Sequence, residues 1–223
     1  LRNNGYKNFF IVQDEYFQQN RPKLEYDYYN LNPDEIPYFS NDNNVKKVVF
    51  NDLKAAMDTV NINGPRFYFV EKLLPHHIHF AASKEEERDT YIEKIKEVNG
   101  WLESTINYIS EKDPNAIVII LADHGGWVGL GSYPEMFSTN DPQQIRSIYS
   151  TLAAIKWNGH LKEGMDAELN SNVNIFRVLF SILSNNPEYL KYLEDDSSYN
   201  LQNGAFSKSV RAVIDDSGNV TTN

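Results

Sequence analysis

Ala116-Ile117-Val118-Ile119-Ile120-Leu121-Ala122-Asp123-His124-Gly125-Gly126 is the stretch on which the fold turns. Its first seven residues form an apolar run rich in β-branched side chains, entered through Asp113-Pro114-Asn115, and predict a strand buried on both faces. The run ends in a carboxylate, an imidazole and two glycines. In open α/β sheets, ligands gather just beyond the carboxyl ends of the strands. Asp and His are both ordinary ligands for a divalent cation, and the glycines permit a sharp exit that turns both side chains the same way. Asp123 and His124 are therefore the candidate metal ligands. Taken alone, Asp-His-Gly-Gly reads first as a strand ending in a polar turn, with Asp123 capping the next segment.

Upstream, Ser83 with Glu86 three residues later forms a capping box, and acidic residues crowd the first turn, as a helix dipole favours. Tyr91, Ile92, Ile95, Val98, Leu102, Ile106 and Ile109 supply an apolar stripe, so a helix is predicted over 83–112. Its charge run from Lys84 to Asp89 reads as a solvated helix start. Before it, Arg66-Phe67-Tyr68-Phe69-Val70 reads as a strand, making strand, helix and strand a βαβ unit. Right-handed crossover then predicts that the Phe67 and Ile117 strands are parallel, with their carboxyl ends on one edge. That edge would carry Leu73-Leu74-Pro75-His76-His77-Ile78-His79-Phe80 to the same crevice as Asp123 and His124. Three close histidines invite a zinc reading, although spacing alone does not give zinc its geometry. The plainer reading is a polar loop over the sheet edge.

The flanks follow the same alternation. Leu1 to Gly5 look like a helix tail ending on a glycine, and Phe9-Phe10-Ile11-Val12 like a short buried strand. Residues 26–44, rich in Tyr, Asn, Asp and Pro, read as irregular surface, with tyrosines that line a cleft or pin a loop. Val45 to Val60 have helical spacing. After Gly126, residues 129–142 have the composition of an active-site rim. Ser147 to Trp157 read as a strand, Ser171 as the N-cap of an apolar helix over 173–183, and 210–220 as a hairpin around Asp216-Ser217-Gly218-Asn219.

An Asp-His-Gly closing a buried strand, after a long amphipathic helix, resembles the sulfatase-like branch of the alkaline phosphatase superfamily. That branch includes arylsulfatases, phosphoethanolamine transferases and lipoteichoic acid synthases. The Leu-x-x-x-Gly-Tyr-Lys segment at the start is similar to the stretch that follows the nucleophile in such enzymes. Asn20-Arg21 is similar to their aromatic-x-Asn-Arg element, with Gln19 where the family has tryptophan. Val173-Asn174-x-Phe176-Arg177 and Asp196-x-Ser198-Tyr199 look like the end of bacterial sulfatase-like domains. The resemblance implies a three-layer αβα sandwich with a mostly parallel central sheet. It would be a single α/β domain over 1–223, incomplete at its N-terminus. It implies Asp123 and His124 as ligands of a divalent metal ion (Mn, Zn or Ca), and Arg21 as a contact to a substrate phosphate. It also implies a histidine that contacts the transferred group: His76 if aligned on Leu-Leu-Pro-His, His77 if aligned on His-x-x-Phe, with His79 where the family has proline. The Ser or Thr nucleophile and an acidic metal ligand would lie upstream of Gly5, so no catalytic nucleophile is expected within the chain.

Composition narrows the function classes. The 223 residues are 41% hydrophobic, enough for a sizeable core, and carry a net charge of −10. No basic stripe exists to neutralise phosphates, so a nucleic-acid partner is not expected. A bare anionic substrate is equally awkward unless a cation sits in the site. With no cysteine, the redox compartment is left open. No apolar run is long enough to cross a bilayer and no signal peptide is recognised; the start at Leu1 reads as a piece of something longer. The first expectation is a metal-dependent hydrolase or transferase of sulfate or phosphate esters, lipid- or glycan-linked ones included. The resemblance places it at the periplasmic or extracellular face of a bacterial membrane. The alternative is a catalytically inactive sulfatase-like domain serving as a binding or structural module.

Overall fold

The computed structural model describes residues 1–16, 25–32, 47–60, 63–78, 83–132, 134–161, 164, 166–167, 169–201 and 208–221. The fold class is mixed α/β with a parallel sheet, as expected. The chain divides into two compact units, Leu1–Leu74 and Pro75–Asn223.

In the first unit β1 (Lys7–Ile11) is the centre strand, with β2 (Tyr28–Tyr29) on one side and β3 (Arg66–Val70) on the other, both parallel to it. On one face Phe9 is fully buried, with the Tyr28 and Tyr68 rings at 5.7 and 4.5 Å. On the other, Phe10 stacks on Phe69 at 4.7 Å, and Val12 and Leu31 form a buried cluster beside Phe10 and Tyr29. A centre strand apolar on both faces is what a parallel sheet requires. Helix α1 (Val49–Thr59) packs against β1 and buries Val49, Leu53 and Ala56.

Strand β2 lies in the stretch read as irregular surface. Two residues are too few to show a period, and the pairing is set by side chains on either side. Asp27 Oδ2 accepts from the Asn8 backbone N–H at 2.8 Å. Asn30 accepts from Val12 N–H at 3.0 Å and donates to the Val12 carbonyl at 2.9 Å. At the chain start, Gly5 (φ 80°) ends a single 3-10 turn, Arg2–Asn4.

In the second unit α2 (Lys84–Lys112) forms as expected, and Ser83 Oγ accepts from Glu86 N–H at 3.1 Å. It leads to β4 (Val118–Leu121), which pairs antiparallel with β5 (Ala153–Lys156). Among the described residues β4 has no other ladder partner, and β3 belongs to the sheet of β1. Among the described residues β3 and β4 therefore share no ladder. Nor is β4 buried on both faces as expected: Val118, Ile119 and Ile120 are half-buried and Leu121 is 41% exposed.

Of the strand expected over 147–157, only Ala153–Lys156 forms one, and its first three residues are the end of a helix. Following the short α3 (Glu135–Ser138), α4 (Pro142–Tyr149) opens with Asp141, whose Oδ1 accepts from Gln143 N–H at 2.9 Å, and with Pro142 in the first turn. It buries Ile145 and Ile148; these β-prone residues are helical because the cap and the apolar face outweigh propensity. Trp127, Leu130 and Ile148 form a buried cluster against Met136 and Tyr149.

Helix α5 (Ile175–Ser184) follows a 3-10 turn, Asn172–Asn174. Ser171 stands at the N-cap position but does not cap; its hydroxyl donates to the Asp196 carboxylate. Asn174 is fully buried. It donates to the Glu194 carbonyl at 2.9 Å and to Asp196 Oδ1 at 3.0 Å, and accepts from Glu194 N–H at 2.9 Å. Strands β6 (Ser198–Leu201) and β7 (Val210–Ile214) pair antiparallel. The expected hairpin turn closes at Asp215, whose Oδ1 accepts from Ser217 and Asn219 N–H at 3.0 and 2.8 Å, and Ile214 bridges Val220.

Candidate metal site at the exit of β4

The exit of β4 is laid against the end of α4. Ala122 N–H donates to the Leu152 carbonyl at 3.0 Å and Gly125 N–H to the Ile148 carbonyl at 2.7 Å. The second contact satisfies a carbonyl that the end of α4 leaves without an intrahelical partner, the first holds the segment just beyond the helix, and together they fix the backbone at Asp123 and His124. Asn172 Nδ2 holds the Ala122 carbonyl from another side at 2.9 Å.

A Cβ on Gly125 would stand 2.0 Å from the Ser147 carbonyl oxygen, and one on Gly126 would stand 2.5 Å from the Tyr91 ring. Neither glycine is among the residues of positive φ. The pair is required for space, where the sequence suggested freedom to turn. Trp127 and His76, by contrast, hold positive φ (58° and 63°), a conformation non-glycine side chains rarely adopt and one concentrated at functional sites.

Asp123 Oδ1 accepts from His124 N–H at 3.0 Å, and its side chain is 88% exposed. His124 Nδ1 lies 2.8 Å from the Gly125 carbonyl. A carbonyl only accepts, so Nδ1 carries the proton and Nε2 of the neutral ring keeps its lone pair. Nε2 is 3.5 Å from Asp123 Oδ2, longer than a hydrogen bond of normal length. Two donors each about 2.1 Å from a tetrahedral cation lie about 3.4 Å apart, so the separation suits a shared ion. Among the described residues no group of three or more His, Cys, Asp and Glu side chains is arranged to hold one.

His77 is the histidine brought to this pair. Its ring stacks on His124 at 4.8 Å and 11° and on Trp127 at 4.4 Å; His124 and Trp127 are 4.7 Å apart. His76 meets only the edge of His77 within this group, 5.4 Å away at 75°. Arg21 and His79 lie outside the described residues. Trp127 was not picked out from sequence: it has no periodicity, and its one signal is its place directly after two glycines. Glu87 was misread as part of a solvated charge run. It is 7% exposed, and its carboxylate accepts from Gly129 N–H at 2.9 Å.

The family model for Sulfatase matches residues 1–184. The chain belongs to the sulfatase family. No curated protein and no solved structure matches it. Sulfatase membership suggests a hydrolase of sulfate esters, and sulfatases generally use a divalent metal ion. No described helix is long and apolar enough to cross a membrane.

Proposed function

We propose that this sulfatase-family chain carries part of a metal-dependent site for hydrolysis or transfer of sulfate or phosphate esters, lipid- or glycan-linked ones included. Asp123 and His124 would hold a divalent cation (Mn, Zn or Ca), and His77 would contact the transferred group. The observation that carries this reading is the 3.5 Å separation of Asp123 Oδ2 and His124 Nε2 at a strand exit. When bound, the cation supplies Lewis acidity toward the ester oxygens. His124, its tautomer fixed by the Gly125 carbonyl, presents a lone pair outward. The His77 imidazole, held flat against His124 and Trp127, can donate a hydrogen bond to an oxygen on which charge develops. Arg21 remains a proposed phosphate contact, and the nucleophile is proposed to be a Ser or Thr outside these residues. By resemblance alone we place the protein at the periplasmic or extracellular face of a bacterial membrane.

Two donors hold a cation less firmly than the three or four of ordinary zinc sites. Calorimetric titration with Mn, Zn and Ca ions should therefore show weak 1:1 binding to one of them, abolished by Asp123→Ala and by His124→Ala. Binding that survives both substitutions would overturn the assignment. A second reading is an inactive domain that binds or scaffolds, favoured by His79 where the family has proline and Gln19 where it has tryptophan. No metal binding by the wild-type chain is the outcome expected of it.

A further inference from the structure

The loop after Gly126 is gripped by its backbone. Gly129 N–H is held by Glu87 at 2.9 Å, the Gly129 carbonyl accepts from Gln144 Nε2 at 3.2 Å, and Gly131 N–H is held by Glu135 Oε2 at 2.6 Å. Of the two carboxylates, Glu87 is the buried one and comes from farthest away, 42 residues upstream in the first turn of α2. One helical turn on, the Tyr91 ring fills the space beside Gly126. Residues i and i+4 share a helix face, so Glu87 and Tyr91 meet the two ends of the Gly126–Gly129 turn together. Between those two points lies Trp127, 7% exposed, on which both His77 and His124 stack.

We infer that Glu87 is a positioning residue of the Asp123–His124 site: through Gly129 it holds Trp127 against the two imidazoles and so fixes where His124 Nε2 points. The inference rests on the metal-site reading above. A buried carboxylate accepting a backbone N–H is a charge-assisted bond, and without it Gly129 N–H loses its partner inside the protein. Groups that orient a metal ligand without touching the metal change affinity about 10- to 100-fold when removed. The length of the Glu87 side chain sets the contact. Glutamine keeps the reach and an accepting oxygen; aspartate keeps the charge but is one methylene short.

The test compares Glu87→Gln, Glu87→Asp and Glu87→Ala in a Trp101→Phe, Trp157→Phe background, where fluorescence reports Trp127 alone. Expected are near-wild-type acrylamide quenching and metal affinity for the glutamine variant. The aspartate variant should show raised quenching and roughly 10-fold or greater loss of affinity. The alanine variant should match aspartate if it folds; the aspartate protein decides the matter if it does not. The inference is overturned if aspartate matches wild type, or if all three variants lower the melting temperature while quenching and affinity stay unchanged. Should the wild-type chain bind none of the three metals, the metal reading fails. The metal-free quenching order, Gln like wild type and Asp and Ala raised, then still decides what Glu87 does to Trp127.

Discussion

At Gly125 a methyl group would meet the Ser147 carbonyl oxygen at 2.0 Å, and the atom it meets is backbone at the end of α4. At Gly126 the obstruction is the Tyr91 ring, a side chain that can swing aside. The two glycines therefore differ in what a substitution does. Gly125→Ala should lower stability by about 2–3 kcal/mol, at the upper end of what overpacking costs. Gly126→Ala should cost clearly less and raise the exposure of Tyr91. Thermal melts of the two variants check this, and equal losses would show that Tyr91 is as immovable as the helix end. Desolvation raises the Tyr91 pKa, so any release of the ring should bring its titration back toward the ordinary tyrosine value.

Elements set by local chemistry were legible in the sequence, and those set by distant partners were not. The capped start of α2 and the apolar run of β1 can be read from a dozen residues each. Strand β2 cannot, because Asp27 and Asn30 bind Asn8 and Val12 some eighteen residues away. The split of 147–157 into the end of α4 and β5 was hidden because Ile148 and Tyr149 favour strands while Asp141-Pro142 starts a helix. For the site, Asp123 and His124 stood out by residue type; the roles of Trp127 and Glu87 depend on stacking and on a contact across 42 residues. The hairpin turn after β7 yields a test of its own. Asn219 N–H, followed by the Asn219 side chain and Ser217 N–H, holds the Asp215 pKa below its ordinary 3.8. A depressed folded-state pKa means the contribution is complete above the ordinary carboxylate range and is lost as pH falls through the folded value. The Asn219 amide shift followed by NMR should therefore titrate with a midpoint below 3.8; a midpoint at or above it would mean the turn is open in solution.

Across the whole molecule, the α/β class followed from the alternation of elements, and the candidate site was picked out by one polar tetrad after an apolar run. Strand pairing did not, because hydrophobic runs specify burial and leave the neighbour unspecified. The same limit bears on where the folded body ends. The family match stops at residue 184, yet the Asn174 amide is satisfied by Glu194 and Asp196. Anyone trimming an expression clone to the matched span would strand a buried amide inside the remaining protein, at about 1–3 kcal/mol. Val213, wholly enclosed, would go with the discarded tail. Proteolysis of the trimmed product alongside the full chain should show the shorter one cut faster. A resistant product ending at 184 would mean that the last forty or so residues are a passenger on the fold, whereas the hydrogen bonds make them a closing clasp.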